Sequence, residues 1–545
     1  MQISVQEARQ GRPGGLSYKW VVAIVVIFGL FMSVLDSTIV NIAIPRLQTA
    51  FGSNLNSVQW VLTGYILIQG VATPLTGFFS DRLGTKRFYL VALVIFTAGS
   101  ALCGLAWSLP TLILFRLLQG LGGAFLAPLA ITMIYSEFPP NERGTAIGTL
   151  GIPVLLAPAL GPTIGGYIVT FGNWPLIFYI NVPIGILGVI LGAVLLRDTH
   201  TRSNTRFDIA GFVFSAIGLG TLLYALSDAS TDGWGSTKVL AFLFTGILSL
   251  AIFVAVELLI SGRGGQPLLN LRIFGNLPFL TSNVASMFVT FALYGGLFLS
   301  PIYLQNLRGL SAYQSGLLLL PQALASMVAV VAGGRLVDRI GVRAVVLPGL
   351  AILALANWEL TKLTLTTPIW QYQIILILRG FSLGLSAQPL VVSALSEIRP
   401  HLLAQASALN TALRFVASSL GVAILATLVQ TQSKVHYSHL AEQVTATTPL
   451  GKLIPLLQGL FISHGASPVT AYRTTIQVMA GELQRQAYVL AIQDAFLVTF
   501  GLCILAVISV LFVRSRKATA QELPAVSPET TSEEATTREE ALLAV

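Results

Sequence analysis

Apolar runs close to the ~20 residues that cross a bilayer recur along the 545-residue chain, separated by mostly short polar connections. They predict fourteen spanning helices, at roughly 20–44, 58–79, 88–108, 111–135, 144–170, 175–196, 207–228, 238–260, 277–304, 313–337, 344–364, 369–395, 403–430 and 488–513. These are numbered spans 1 to 14. Segment 431–487 breaks the rhythm, being polar, mixed in charge and too long for a tight turn, and it reads as a long extracytoplasmic loop. From Ala518 the chain turns to Glu, Thr, Ser and Ala, so 514–545 reads as a disordered cytoplasmic tail. The first run is followed by Asn41, Pro45 and Arg46 and by no small-residue cleavage site, which favours a retained helix over a signal peptide.

Charge placement gives the chain a direction. With residues 1–19 in the cytoplasm, twenty of the 31 Lys and Arg residues fall on inside segments and eight outside, while Arg116, Arg379 and Arg414 lie within spans. That bias predicts a multi-pass plasma (inner) membrane protein with both termini cytoplasmic. It also accounts for the net charge of +9 without a nucleic-acid partner. At 54% hydrophobic and 10% charged, against ~25% charged for a soluble domain, the chain is excluded as an ordinary soluble enzyme. Cys103 and Cys503 sit inside apolar runs, and His436 and His439 lack a third ligand, so no disulfide framework and no metal site are implied. No phosphate-binding loop of the G-x-x-x-x-G-K-[ST] type is present. An ion gradient, and no cofactor, is the expected energy source.

A repeat organises the spans. Gly77, Asp81, Arg82, Gly84, Lys86 and Arg87 follow span 2, and Gly334, Asp338, Arg339, Gly341 and Arg343 follow span 10. The offset is 257 residues, or eight spans, so both copies fall on one side of the membrane and the repeat is parallel. The expected architecture is all-α: a six-helix bundle at 20–196, a linker at 197–276 carrying two extra spans, and a second six-helix bundle at 277–513.

Asp36 is the most informative single residue, because a charge deep in a span costs several kcal/mol on insertion scales. At 100° per residue Ser33, Asp36, Ser37 and Asn41 form a polar stripe about 140° wide, expected to face the bundle interior. Burial favours the protonated carboxyl and a facing cation favours the carboxylate. An acid poised between the two can exchange a proton for a substrate; the alternative is a structural Asp joining two helices. Arg116 shares its face of span 4 with Gln119, Gly120 and Gly123, which allow close helix approach. It either tunes an acid such as Asp36 or caps backbone carbonyls. Arg379, with Ser382 and Ser386, and Arg414, with Ser407, Asn410, Thr411 and Ser418, are expected to face a central space, in transport or in structural pairing. Tyr65 and Gln69 on span 2, with Asn283, Thr290 and Tyr294 on span 9, complete the candidate cavity, suited to bulky amphipathic compounds. Glu257 and Glu359 are expected at the interface. The Gly77–Arg87 segment and its repeat read as a latch for the inner gate: Asp81 and Asp338 would pair with an arginine or cap a helix N-terminus. Lipid anchoring by the basic residues is the competing account. Span 5 holds Gly144, Gly148, Gly151, Pro153, Pro158, Gly161, Pro162, Gly165 and Gly166. So many helix breakers need close neighbours, which predicts a kinked helix at the interface of the halves or ordinary small-residue packing.

Four motifs now resemble a known family. They are Leu35 to Pro45 in span 1; Gly77 to Arg87; Arg116 to Gly123 in span 4; and Pro158, Gly161, Pro162, Gly165 and Gly166 in span 5. Between about residues 20 and 513 the chain resembles the major facilitator superfamily, and within it the fourteen-helix drug:proton antiporters of the EmrB/QacA type. The resemblance implies proton-coupled export of hydrophobic or cationic drug-like compounds, with Arg116 assisting proton transfer and the span 5 motif marking antiport. In double-membraned bacteria it also implies a periplasmic adaptor and an outer-membrane channel, with 431–487 as the docking region. Pro175 departs from the pattern, where an arginine is usual, so that arginine's role does not carry over. A metabolite or siderophore carrier and a non-transporting scaffold or receptor are the alternative functions.

Overall fold

The computed structural model describes residues 17–512, apart from 54, 199–206, 264 and 445–447. The expected tail at 514–545 and most of the expected cytoplasmic segment 1–19 lie outside the described residues. Fourteen helices are long and apolar enough to cross a membrane. Spans 1 to 6 are Tyr18–Phe51; Leu55–Ala72 continued through Thr73–Leu75 to Thr76–Leu83; Thr85–Gly104; Leu109–Glu137; Arg143–Phe171; and Leu176–Tyr179 with Asn181–Leu195. Spans 7 and 8 are Ile209–Asp232 and Thr237–Gly262. Spans 9 to 14 are Leu277–Pro301, Ala312–Ile340, Val342–Leu360, Ile369–Leu395, Leu403–Glu442 and Pro468–Leu511.

Local chemistry sets several boundaries. Ser108 with Thr111, and Ser311 with Gln314, form reciprocal capping boxes that start spans 4 and 10. Gly84 (φ 81°) and Gly341 (φ 87°) turn the chain tightly after spans 2 and 10, a conformation that favours glycine. The latch residues Gly77, Asp81 and Arg82 therefore lie on the last turns of span 2, and Asp338 and Arg339 on the last turns of span 10. The expected loop shrinks to one glycine in each half.

The extracytoplasmic segment 431–487 also departs from expectation. Span 13 continues to Glu442, a separate helix covers Pro449–Ser463, and span 14 begins at Pro468. Polar residues do not by themselves end a helix, and no proline or glycine stands between Leu403 and Glu442 except Gly421. Span 5 is a continuous helix despite Pro153, Pro158 and Pro162.

One apolar cluster draws residues from both halves, joining Ala146, Ile147 and Leu150 with Val337, Val391, Leu395 and Leu403. The other three clusters each lie within a single half. Hydrogen bonds between the halves gather at the end that carries the latch: Tyr135 donates from its hydroxyl to the Val392 carbonyl at 2.8 Å, and Asp338 reaches span 5. Span 7 packs along span 2, where Trp60 and Tyr224 stack at 5.5 Å. Trp234, just beyond span 7, donates to Thr427 of span 13 at 2.8 Å. Span 7 thus touches both bundles, through span 2 of the first half and span 13 of the second.

Candidate functional site

Among the described residues four charged side chains are buried: Asp36, Arg116, Glu257 and Arg379. Two of them form one centre. Arg116 donates from Nη1 to Asp36 Oδ2 at 2.5 Å, and both side chains are fully inaccessible. Asp36 Oδ1 accepts from Gln119 Nε2 and from Asn181 Nδ2, each at 2.9 Å. Arg116 also donates to Gln119 Oε1 at 2.9 Å and, through Nε, to the Val61 carbonyl at 3.1 Å. Its guanidinium carbon lies 3.9 Å from the Tyr65 ring centroid. Spans 1, 2, 4 and 6 therefore converge on one carboxylate inside the first half.

Such a pair holds together because each charge without the other is severely penalised in a low-dielectric interior. Removing the negative charge by protonation would leave the guanidinium with neutral acceptors and a ring face. The polar stripe on span 1 divides: Asp36 is enclosed, Ser33 and Ser37 are half-buried, and Asn41 is exposed.

Asn181 was not singled out from the sequence. Its signal is an amide inside the apolar run of span 6, where it also donates to Ser100 Oγ at 3.1 Å. Tyr65 and Gln69, expected in a substrate cavity, are buried in the first half, Tyr65 as part of the ion-pair surroundings. Glu257, expected at the interface, is 1% exposed. It lies against Gly211 and Asp208 at the start of span 7 and faces the backbone of Leu268 and Leu269. Glu359 is exposed and pairs with Lys362 at 2.7 Å.

Span 5 connects this centre to the second half. A Cβ at Gly161 would run into the Thr38 side chain, two residues from Asp36. Pro158, one turn before Gly161, lines a small cavity with Leu293, Gln322 and Leu383 of the second half. Toward the latch end, a Cβ at Gly148 would stand 2.7 Å from the Val330 carbonyl, and Gly144 and Gly334 meet backbone to backbone. Gly165 is buried, and Gly166 faces Tyr313. The side chain of Pro162 lies outside the described residues.

The latch acid of the second half caps span 5 directly. Asp338 accepts from the backbone N–H of Gly144 and of Thr145, each at 2.8 Å, and from Thr145 Oγ1 at 2.6 Å. These are orphan donors at a helix N-terminus, where a carboxylate also meets the positive end of the dipole. In the first half, Gly77 packs on Gln405 of span 13. Arg82 and Arg87 are exposed, and Arg87 lies 3.7 Å from Asp198. Arg339 is exposed.

The second half holds the remaining candidates. Asn410 donates to Asn283 Oδ1 at 2.8 Å, tying span 13 to span 9. Thr290 is buried and Tyr294 is 37% exposed. Arg379 is buried and donates from Nη2 to the Ala292 carbonyl at 2.5 Å. Its Nε and Nη1 have no partner among the described residues. Arg414 is half-buried, and no acid pairs with it among the described residues.

Comparison with known proteins bears on the family and the fold. Residues 26–422 match the family model of the Major Facilitator Superfamily. The chain is 33% identical over 493 residues to the uncharacterized MFS-type transporter YhcA of Bacillus subtilis, covering 90% of this chain and 92% of that one. It is 32% identical over 425 residues to the tetracenomycin C resistance and export protein of Streptomyces glaucescens, covering 77% and 76%. Among solved structures, a double-tryptophan mutant of XylE superposes with a TM-score of 0.58 at 15% identity, over 92% of this chain and 97% of that one, which shows the shared fold.

Proposed function

The chain belongs to the major facilitator superfamily, and from that membership we propose that it is a proton-coupled antiporter exporting hydrophobic drug-like compounds by alternating access. It is a small-molecule transporter with antibiotic-resistance relatives, not an enzyme. The observation that carries the finer reading is the enclosed Asp36–Arg116 pair, set two residues from the point where span 5 bears on span 1. Protonation of Asp36 dissolves the attraction to Arg116, worth several kcal/mol in such surroundings. The displacement of span 1 passes to span 5 through Thr38 and Gly161, and from span 5 to the second half along the glycine seam with span 10. Each charge moved across the membrane supplies about 2.3 kcal/mol per 100 mV.

The latch end faces the cytoplasm in this reading. The basic residues gather there: Lys19 contacts Glu142, and Lys86 and Arg87 approach Asp198. The helices that replace the 431–487 loop then project outside, where exposed Leu456 and Leu460 offer an apolar surface to a periplasmic adaptor. The deciding experiment uses Asp36→Asn in proteoliposomes. The variant is expected to fold and to bind substrate but to lose export driven by a pH gradient. Full gradient-driven export by that variant would remove Asp36 from the coupling.

A further inference from the structure

The two halves treat their buried arginines differently, and the difference bears on the charge of the substrate. The 257-residue repeat maps Asp36 onto Leu293, one residue from Ala292, and Arg116 onto Gln373, so Arg379 stands six residues beyond the strict counterpart of Arg116 on the same helix. Where the first half offers Arg116 a carboxylate, the second half offers Arg379 only the Ala292 carbonyl. A guanidinium does not shed its proton in a protein, so Arg379 remains a cation with two nitrogens unpartnered. An uncompensated buried charge is strongly unfavourable, and a single carbonyl dipole does not neutralise one.

Other buried polar groups surround it. Tyr372, two helical turns before Arg379 on span 12, lies beside Ser300 of span 9 and within electrostatic reach of Arg379. The Tyr372 hydroxyl and Ser300 Oγ are buried and face each other. Gly296 lies flat against the guanidinium, leaving no room for a side chain. The neighbouring cavity is apolar on most sides, with Leu293, Leu297, Leu319 and Leu383, and with Gln322, whose Oε1 is also unpartnered. Leu383, one helical turn after Arg379 on the same face of span 12, lines this cavity, as do Leu293 and Leu297, which follow Ala292 and Gly296 where the guanidinium packs. Arg414 adds a second positive charge in the same half, near Tyr294.

We propose that the second half holds a binding site for an anionic group, a carboxylate or sulfonate on a hydrophobic body, with Arg379 as its counter-charge and the leucine-lined cavity taking the body. The proposal rests on the export reading for its physiological role, and it selects amphipathic acids over the cations that the family resemblance implied. The substrate supplies the negative charge that the Asp36 carboxylate supplies in the first half.

The test uses three ligands sharing one ring system: 2-naphthoate, 2-naphthamide and 2-naphthyltrimethylammonium. Binding to the purified full-length protein in lipid nanodiscs is measured without any gradient. The unaltered protein is expected to bind naphthoate about tenfold more tightly than either isostere, and Arg379→Gln to lose about tenfold in naphthoate affinity, near 1.4 kcal/mol, with the ammonium compound unaffected. Equal binding of all three by the unaltered protein, tighter binding of the ammonium compound, or competition by chloride as effective as by naphthoate overturns the proposal, whatever the folding of the variant. Naphthoate affinity unchanged in a folded Arg379→Gln overturns it as well. Gradient-driven uptake into proteoliposomes separates the two readings. Naphthoate that binds but is not driven by a pH gradient refutes the antiport alone; gradient-driven export of other compounds with no naphthoate binding refutes the anion site alone.

Discussion

Arg116 and Arg379 are each buried on the fourth helix of their six-helix half, yet their surroundings differ in kind. Arg116 meets a carboxylate, an amide, a carbonyl and an aromatic face. Arg379 meets one carbonyl. The fourth helix of each half thus carries a buried arginine, without the chemistry around it being repeated. The half whose arginine is neutralised internally is suited to a small titrating ion. The half whose arginine is not neutralised is suited to a ligand that brings its own charge.

The largest expected effect tests that contrast directly. Arg116→Met leaves Asp36 buried without its cation and should cost about 3–5 kcal/mol, read as a fall in the midpoint of thermal unfolding in detergent. Arg379→Met removes an unpaired cation instead, so its stability should stay within about 1 kcal/mol of the parent or rise. Equal losses in the two variants would mean that Arg379 is as well satisfied as Arg116, and the contrast would fail.

The seam between the halves comes next. Gly148→Ala places a methyl group 2.7 Å from the Val330 carbonyl, and overpacking of this kind costs about 1–3 kcal/mol. Gly501→Ala, where nothing lies within 4 Å, should cost nothing in the same assay. Indistinguishable midpoints for the two would show that the seam yields freely and cannot carry motion from span 1 to span 10.

The smallest effect sharpens the comparison at the latch. Asp338→Asn keeps the size of the cap but removes the charge facing the span 5 N-terminus, for a loss of about 0.5–2 kcal/mol. Spin labels placed across the latch end should report a larger share of separated halves. A distance distribution identical to the parent would reduce Asp338 to a local cap with no part in gating.

Much of this molecule was legible from its residue pattern, because a bilayer imposes a length and a polarity rule on every crossing segment. The count of fourteen spans, the two latch copies and the presence of Asp36, Arg116 and Arg379 inside apolar runs all follow from that rule, which acts within ~20 residues at a time. Partnership is not a property of a single segment. Asn181 joins Asp36 across 145 residues and Asp338 caps Gly144 across 194, and no periodicity within a helix encodes such pairings. Tyr65 illustrates the limit: its stripe on span 2 suggested a cavity lining, but the packing of spans 2 and 4 turned it onto Arg116. Segment 431–487 illustrates it from the other side, since polarity there signalled exposure but not the helices that carry it. Local chemistry decided which residues are costly to bury; only the assembled bundle decided which of them found a counter-charge.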